Sequence, residues 1–121
     1  IHLYREDKVA QALSLHMATK TDVWKGAYPG NSYQIDKELL KSVTNCLAKI
    51  IKWEEEWSIF LQESNSDYIN VSYENLINSP QETLHSIFEY LGIEPTIIKP
   101  NYGSFVKQMP SLFLQNVKTE L

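Results

Sequence analysis

The sequence is poor in the residues that cross-link small domains or anchor them in a membrane. Cys46 is the only cysteine among 121 residues. A single thiol forms no internal disulfide and no multi-cysteine zinc site, and it suits a reducing compartment. Long apolar runs are missing, and the first residues lack the basic and apolar regions of a signal peptide. We therefore expect a cytoplasmic protein with no membrane span and no metal site.

Positive charge is also scarce. Eleven Lys and Arg residues stand against fifteen Asp and Glu residues, which gives a net charge of -4. A nucleic-acid surface needs clustered cations to neutralise phosphates, so we expect no nucleic-acid partner. Arg5 is the only arginine in the chain, and its position therefore matters for any local anion site.

The length and composition fit one globular domain over residues 1–121. With 43% hydrophobic residues, a chain of this size hides roughly two-thirds of its unfolded surface and needs no metal or disulfide to fold. The sequence opens with isoleucine, directly on a strand-like segment. We therefore expect this chain to be a piece of a longer protein.

Periodicity predicts a strand followed by a helix at the start of the chain. Residues 1–4 alternate, and Asp7 is placed to cap a helix that ends near residues 20–24. Its apolar positions recur at helical spacing: Val9, Ala12, Leu13, His16 and Met17. Glycine, proline and small polar residues then predict a loop over residues 26–32.

The longest periodic segment runs from residue 36 to 62 and predicts one long helix or two in succession. Its apolar stripe contains Leu39, Leu40, Val43, Leu47, Ile50, Ile51, Trp57 and Phe60. We expect Trp53 and Trp57 in the core. The acidic run Glu54–Glu56 is typical of a solvated face.

A second strand is predicted over residues 68–73, followed by a capped helix. Ser79, Pro80 and Glu82 match the capping-box pattern, and Gly92 is placed to end that helix. We expect its buried face to contain Leu84, Ile87, Phe88 and Leu91. The proline-containing tail from Ile93 predicts mostly irregular structure.

Strands separated by helical segments predict a helix-rich α/β fold in which a partial parallel sheet is flanked by helices. Two parallel strands cannot bury both of their faces. Either further strands come from a longer parent chain, or the exposed sheet edge pairs with a second copy as a homodimer.

Arg5 stands where the first strand ends and the first helix begins. A guanidinium beside free helix N–H groups is suited to a phosphate or sulfate. The alternative is a surface arginine that pairs with Glu6 or Asp7. Position alone leaves both interpretations open.

Two blocks of the sequence resemble a known family. The first block, residues 5–24, has the pattern RxDKxxQAxSxxxAxxTxxW, and the second, residues 71–93, reads VSYENLINSPQETLHSIFEYLGI. Both are similar to bacterial sulfotransferases of the trehalose sulfotransferase type. The resemblance implies the C-terminal portion of a P-loop-like sulfotransferase fold that lacks its N-terminal half.

The resemblance also implies a cofactor and the residues that hold it. Such enzymes move a sulfuryl group from 3′-phosphoadenosine 5′-phosphosulfate (PAPS) to a hydroxyl acceptor, often on a sugar, and leave 3′-phosphoadenosine 5′-phosphate (PAP). By position, Arg5 and Ser14 would hold the 3′-phosphate, Tyr73 would approach the base, and Lys107 would reach the 3′-phosphate from the tail. The alternatives are a Ser14 hydroxyl bonded to its own helix and a Tyr73 packed in the core.

Ser14 follows Arg5 by one residue more than is usual in the wider superfamily. One extra residue within a helix would turn Ser14 by about 100°. The extra residue must therefore lie in the turn over residues 6–8, or Ser14 is not a ligand.

The glycine-rich loop that would bind the 5′-phosphosulfate is absent from this sequence, and so is a matching general base. None of the four glycines lies between a strand and a helix beside Ser/Thr and Lys/Arg. We therefore predict no catalytic residue here and expect the chain alone to be inactive. The competing hypothesis is a non-catalytic helical module that self-associates or binds a protein partner.

Overall fold

The computed structural model describes residues 1–22, 34–94 and 111–121, and within these ranges the chain is mostly helical. Two short strands and five helices follow one another along the chain: β1 (His2–Tyr4), α1 (Lys8–Thr21), α2 (Lys37–Glu63), β2 (Asn70–Ser72), α3 (Tyr73–Asn78), α4 (Pro80–Leu91) and α5 (Ser111–Glu120). The predicted helix-rich chain with a small parallel sheet is confirmed. The predicted loop over residues 26–32 lies outside the described residues.

The two strands pair in parallel. Leu3 lies opposite Val71 and Tyr4 lies opposite Ser72. The predicted second strand is shorter than expected, because the Ser72 hydroxyl accepts a hydrogen bond from the backbone N–H of Asn75 at 3.1 Å and starts α3. Tyr73 is therefore the first residue of a helix and not the end of a strand.

The described residues fall into two compact units. Of the described residues, the first unit comprises 1–6 and 57–94, and the second comprises 7–22, 34–56 and 111–121. The sheet, α3 and α4 belong to the first unit, and α1 and α5 belong to the second. The prediction that residues 1–121 form one domain stays a prediction.

The second unit contains a hydrophobic core built from α1, α2 and α5. Seven buried residues form this core: Ala12, Leu13, Met17, Leu39, Val43, Ile50 and Val117. The prediction of an irregular tail is wrong for its last part, because α5 covers residues 111–120 and Val117 is fully buried. Phe113, Leu114 and Val117 recur at helical spacing on the core side of α5.

Asp7 fixes the start of α1, as predicted. Its Oδ1 accepts a hydrogen bond from the backbone N–H of Ala10 at 3.0 Å. Its Oδ2 lies 2.7 Å from the Lys118 ammonium, which joins α5 to the first turn of α1. At the other end, Asp22 adopts the left-handed conformation with φ 56° and closes the helix.

The apolar stripe of α2 is buried over its first half only. Leu39, Val43 and Ile50 are the buried residues of this helix. The expectation that both tryptophans lie in the core is wrong, since Trp53 is 49% exposed and Trp57 is 55% exposed. A continuous helical period sets which side a residue faces, but burial also needs a neighbouring element to cover that side.

The acidic run of α2 is not entirely a solvated face. Glu54 forms an ion pair with Lys8, within the second unit, and is partly shielded from solvent. Glu56 pairs with Lys52 one turn away at 3.8 Å, and both of these side chains are largely exposed. Surface pairs of this kind contribute little to stability.

Helix α4 begins and ends where predicted, but its cap differs. Ser79 makes no side-chain cap hydrogen bond, because it also ends α3, where its backbone N–H donates to the Asn75 carbonyl at 2.8 Å. Gly92 ends α4 with φ 67°, and the Ile93 N–H donates to the Phe88 carbonyl at 2.9 Å. This pattern is a Schellman motif.

The predicted buried face of α4 is only partly covered. Leu84, Ile87 and Phe88 are half-buried, whereas Leu91 is 48% exposed, so the prediction is wrong for Leu91. The reason is that α4 packs against the short helix α3, which is too short to cover its last turn.

Among the described helices, none is long and apolar enough to cross a bilayer.

We predict that the Val117→Ala substitution lowers the free energy of unfolding by about 2 kcal/mol, because it removes two methyl groups from a fully buried site. Urea titration measures this change as a lower midpoint at constant slope. Leu112→Ala is the matched control, since Leu112 lies in the same helix and is 72% exposed. Equal losses in the two variants would contradict the docking of α5 on the core.

We predict that the chain loses stability as the pH falls from 7 towards 5. Burial lowers the pKa of His16 from its usual value of 6.5, the nearby Lys20 lowers it further, and Glu38 opposes the shift. Below pH 6.5 the unfolded chain binds a proton that the folded chain resists, so unfolding becomes easier. Urea titrations at several pH values measure the loss.

The variant His16→Leu should show a smaller loss between pH 7 and pH 5, and His85→Leu serves as its control because His85 is exposed. If both variants keep the pH dependence of the parent chain, burial of His16 is not its origin.

Candidate functional site

The parallel register places Arg5 and Tyr73 together at one edge of the sheet. Tyr4 pairs with Ser72, so the next residue of each segment leaves the sheet at its carboxyl edge, where ligands bind in open α/β sheets. The guanidinium carbon of Arg5 lies 4.4 Å from the centroid of the Tyr73 ring. This cation–π contact holds the guanidinium against an aromatic surface.

Glu74 is the acidic partner of Arg5, and Arg5, Tyr73 and Glu74 together form a cluster. Its Oε1 lies 3.9 Å from the Arg5 Nε, and the two side chains are only 25% and 24% exposed. The alternative prediction named Glu6 or Asp7 as the acidic partner. The Arg5 side chain does not extend into bulk solvent, because Tyr73 and Glu74 both shield it.

Glu74 also binds the backbone. Its Oε2 accepts a hydrogen bond from the N–H of Glu6 at 2.9 Å. The carboxylate thus connects the residue after Arg5 with the first turn of α3. Sequence reasoning missed the pairing of Glu74 with Arg5. Arg5 and Tyr73 each come directly after one of the two paired strands. This shared position was the available signal.

Of the two other predicted nucleotide ligands, one belongs to the second unit and one lies outside the described residues. Ser14 lies in the middle of α1, in the second unit, and is half-buried. Helix α1 begins at Lys8, so residues 5–7 precede the helix and leave room for the extra residue in the turn. Lys107 lies outside the described residues.

The cluster offers one cation, one aromatic face and one carboxylate. A guanidinium donates paired hydrogen bonds to phosphate or sulfate oxygens, and an aromatic ring can stack on a base or support the cation. Within the described ranges, no group of three or more acidic, histidine or cysteine side chains is arranged to hold a metal ion. The guanidinium can therefore offer recognition of an oxyanion.

Comparison with known proteins gives a family and a relative. The family described as Stf0 sulphotransferase matches residues 1–110. Trehalose 2-sulfotransferase of Mycolicibacterium smegmatis is 28% identical over 97 residues, which cover 80% of this chain. The aligned part is 36% of that protein's length, so the chain spans about a third of the curated relative.

The match to the family includes both blocks on which the resemblance was based, residues 5–24 and residues 71–93. The cluster of Arg5, Tyr73 and Glu74 takes one residue from the first block and two from the second. The chain belongs to the Stf0 sulphotransferase family.

Proposed function

We propose that the chain is part of a PAPS-dependent sulfotransferase that moves a sulfuryl group to a hydroxyl of a carbohydrate or similar acceptor. In this proposal the chain supplies the side of the nucleotide site that binds the 3′-phosphate. Membership of a sulphotransferase family supports the reaction class. The similarity to a trehalose 2-sulfotransferase supports a sugar hydroxyl as the acceptor.

The observation that carries the proposal is the placement of the only arginine. Arg5 lies at the carboxyl edge of a parallel strand pair, supported by the Tyr73 ring and by Glu74. A 3′-phosphate carries up to two negative charges and several acceptor oxygens, which match the planar fork of a guanidinium better than a lysine ammonium. The 3′-phosphate also distinguishes PAPS from most adenine nucleotides.

The remaining ligands are proposed by their positions. Ser14 adds a hydroxyl donor to the 3′-phosphate, Tyr73 approaches the adenine base, and Lys107 contributes a second cation. Each hydrogen bond to a charged phosphate is worth about 1.5–3 kcal/mol.

The chain contributes no catalytic residue in this proposal. Sulfuryl transfer needs N–H donors and a cation at the leaving 5′-phosphate and a base for the acceptor hydroxyl. We assign these to a P-loop-like segment outside this sequence, so the chain alone is expected to be inactive. The relative's greater length supports this division, because the aligned part is 36% of it.

We predict that the chain binds PAP more tightly than adenosine 5′-monophosphate, which lacks the 3′-phosphate. Isothermal titration calorimetry measures both affinities. In Arg5→Ala the affinity for PAP should fall at least tenfold, about 1.4 kcal/mol, while the affinity for the monophosphate stays nearly constant. Arg5→Lys should recover only part of the loss, because a lysine ammonium donates no paired hydrogen bonds.

Lys41→Ala removes the same charge from an exposed position on α2 and is the matched control. Equal affinity for the two nucleotides, or a preference that survives in Arg5→Ala, would contradict the proposal. Loss of the preference in Lys41→Ala as well would show that net charge, and not the Arg5 fork, creates it.

A second candidate function rests on the exposed end of α2. Trp57 is 55% exposed, Phe60 is 58% exposed, and their rings meet edge to face at 5.5 Å between centroids. Exposed aromatic side chains of this kind are typical of contact surfaces. The second candidate is therefore a helical module that binds a copy of itself or another protein.

We predict for this second candidate that the chain sediments as a dimer and that Trp57→Ser shifts it towards the monomer. Analytical ultracentrifugation over a range of concentrations measures the distribution. Lys52→Ser, at an exposed position of the same helix, is the control. A chain that stays monomeric at the highest concentration would remove the case for self-association.

A further inference from the structure

We propose that Glu74 is a positioning residue that orients the Arg5 guanidinium towards a bound phosphate. This inference rests on the proposed function and adds to it a residue outside the predicted ligand set. Glu74 itself carries a negative charge and is unsuited to contact a phosphate. Its effect on the nucleotide would pass through Arg5.

The two oxygens of the Glu74 carboxylate have different partners. Oε2 accepts the backbone hydrogen bond of Glu6 at 2.9 Å, which anchors the carboxylate to the turn after β1. Oε1 faces the Nε of Arg5 at 3.9 Å. A carboxylate that is anchored beside Nε attracts the guanidinium and restrains the arginine side chain near its stem.

Tyr73 restrains the same guanidinium from another direction. The centroid of the Tyr73 ring lies 4.4 Å from the central carbon of the guanidinium. A guanidinium that contacts a ring and has a carboxylate beside its Nε has less freedom to rotate. Because Tyr73 and Glu74 are adjacent in α3 and follow β2 directly, the strand register sets both restraints at once.

Orientation and charge have opposite effects on phosphate binding. A restrained fork loses less conformational entropy when it binds, which favours the phosphate. The Glu74 charge repels the phosphate and opposes binding. Substitutions that separate length from charge are therefore needed to test the proposal.

Glu74→Asp keeps the charge but is one methylene shorter, so it cannot reach both Glu6 and Arg5. Glu74→Gln keeps the length and an acceptor for the Glu6 N–H but removes the charge that faces Arg5. Glu89→Gln, at an exposed position on α4, makes the same charge change away from the cluster and is the control.

The chain offers a direct probe of Arg5 because it contains no other arginine. A ¹⁵N-labelled sample gives a single arginine Nε–Hε signal, which needs no assignment by mutation. Its order parameter and its proton exchange with water report how firmly the guanidinium is held. We expect faster exchange and a lower order parameter in Glu74→Asp and Glu74→Gln, and no change in Glu89→Gln.

The second experiment measures nucleotide affinities by calorimetry on the same samples, with PAP and adenosine 5′-monophosphate as probes. Glu74→Asp should lose about tenfold in PAP affinity. A loss of this size is at the lower end of the range for residues that orient the protein ligands of a metal ion without touching the metal. The affinity of Glu74→Asp for the monophosphate should stay unchanged. If Glu74 had only a structural role, its substitution would instead lower the melting temperature and weaken the binding of both nucleotides alike.

Two results separate this proposal from the function on which it rests. If the unmodified chain shows no preference for PAP, the proposed function fails, whatever Glu74 does. If the preference is present and Glu74→Asp keeps the full PAP affinity, the function stands and the positioning role is overturned. An unchanged Arg5 signal in both Glu74 variants would overturn it as well.

Discussion

The parallel register between β1 and β2 is the constraint on which the candidate site depends. It brings Arg5 next to Tyr73 and Glu74, although almost seventy positions separate them in the sequence. A slip of one residue would turn every side chain of a strand to the other face of the sheet. The cation, the ring and the carboxylate would then no longer meet. The site is therefore a consequence of strand pairing and not of any local motif.

The two compact units differ in how they are stabilised. The second unit has a continuous apolar core, and Lys118 on α5 pairs with the N-cap residue of α1. In the described part of the first unit, Val71 is the buried hydrophobic residue, and strand pairing and helix caps supply much of the order. A cluster that belongs to a unit with so little core needs its own polar restraints. Glu74 provides one through its bond to the Glu6 backbone.

Much of the local structure could be predicted because it follows from short-range rules. The Asp7 cap, the helical period of α2 and the glycine end of α4 depend on neighbours in the sequence. Burial could not be predicted in the same way, and Trp57 is exposed because coverage depends on elements distant in the chain. Helix α5 is not predicted, because the prolines that precede it indicate irregular structure. Within the site, position left Arg5 open as an anion ligand or as a surface arginine in an ion pair, and its acidic partner Glu74 depends on strand register.

The central claim is that Arg5 binds the 3′-phosphate of the nucleotide. A crystal structure of the chain with PAP tests it most directly. The account predicts a guanidinium nitrogen of Arg5 within about 3 Å of a 3′-phosphate oxygen, with Tyr73 and Glu74 still beside the arginine. A nucleotide bound elsewhere, or a 3′-phosphate held by other residues while Arg5 contacts only Glu74, would contradict it.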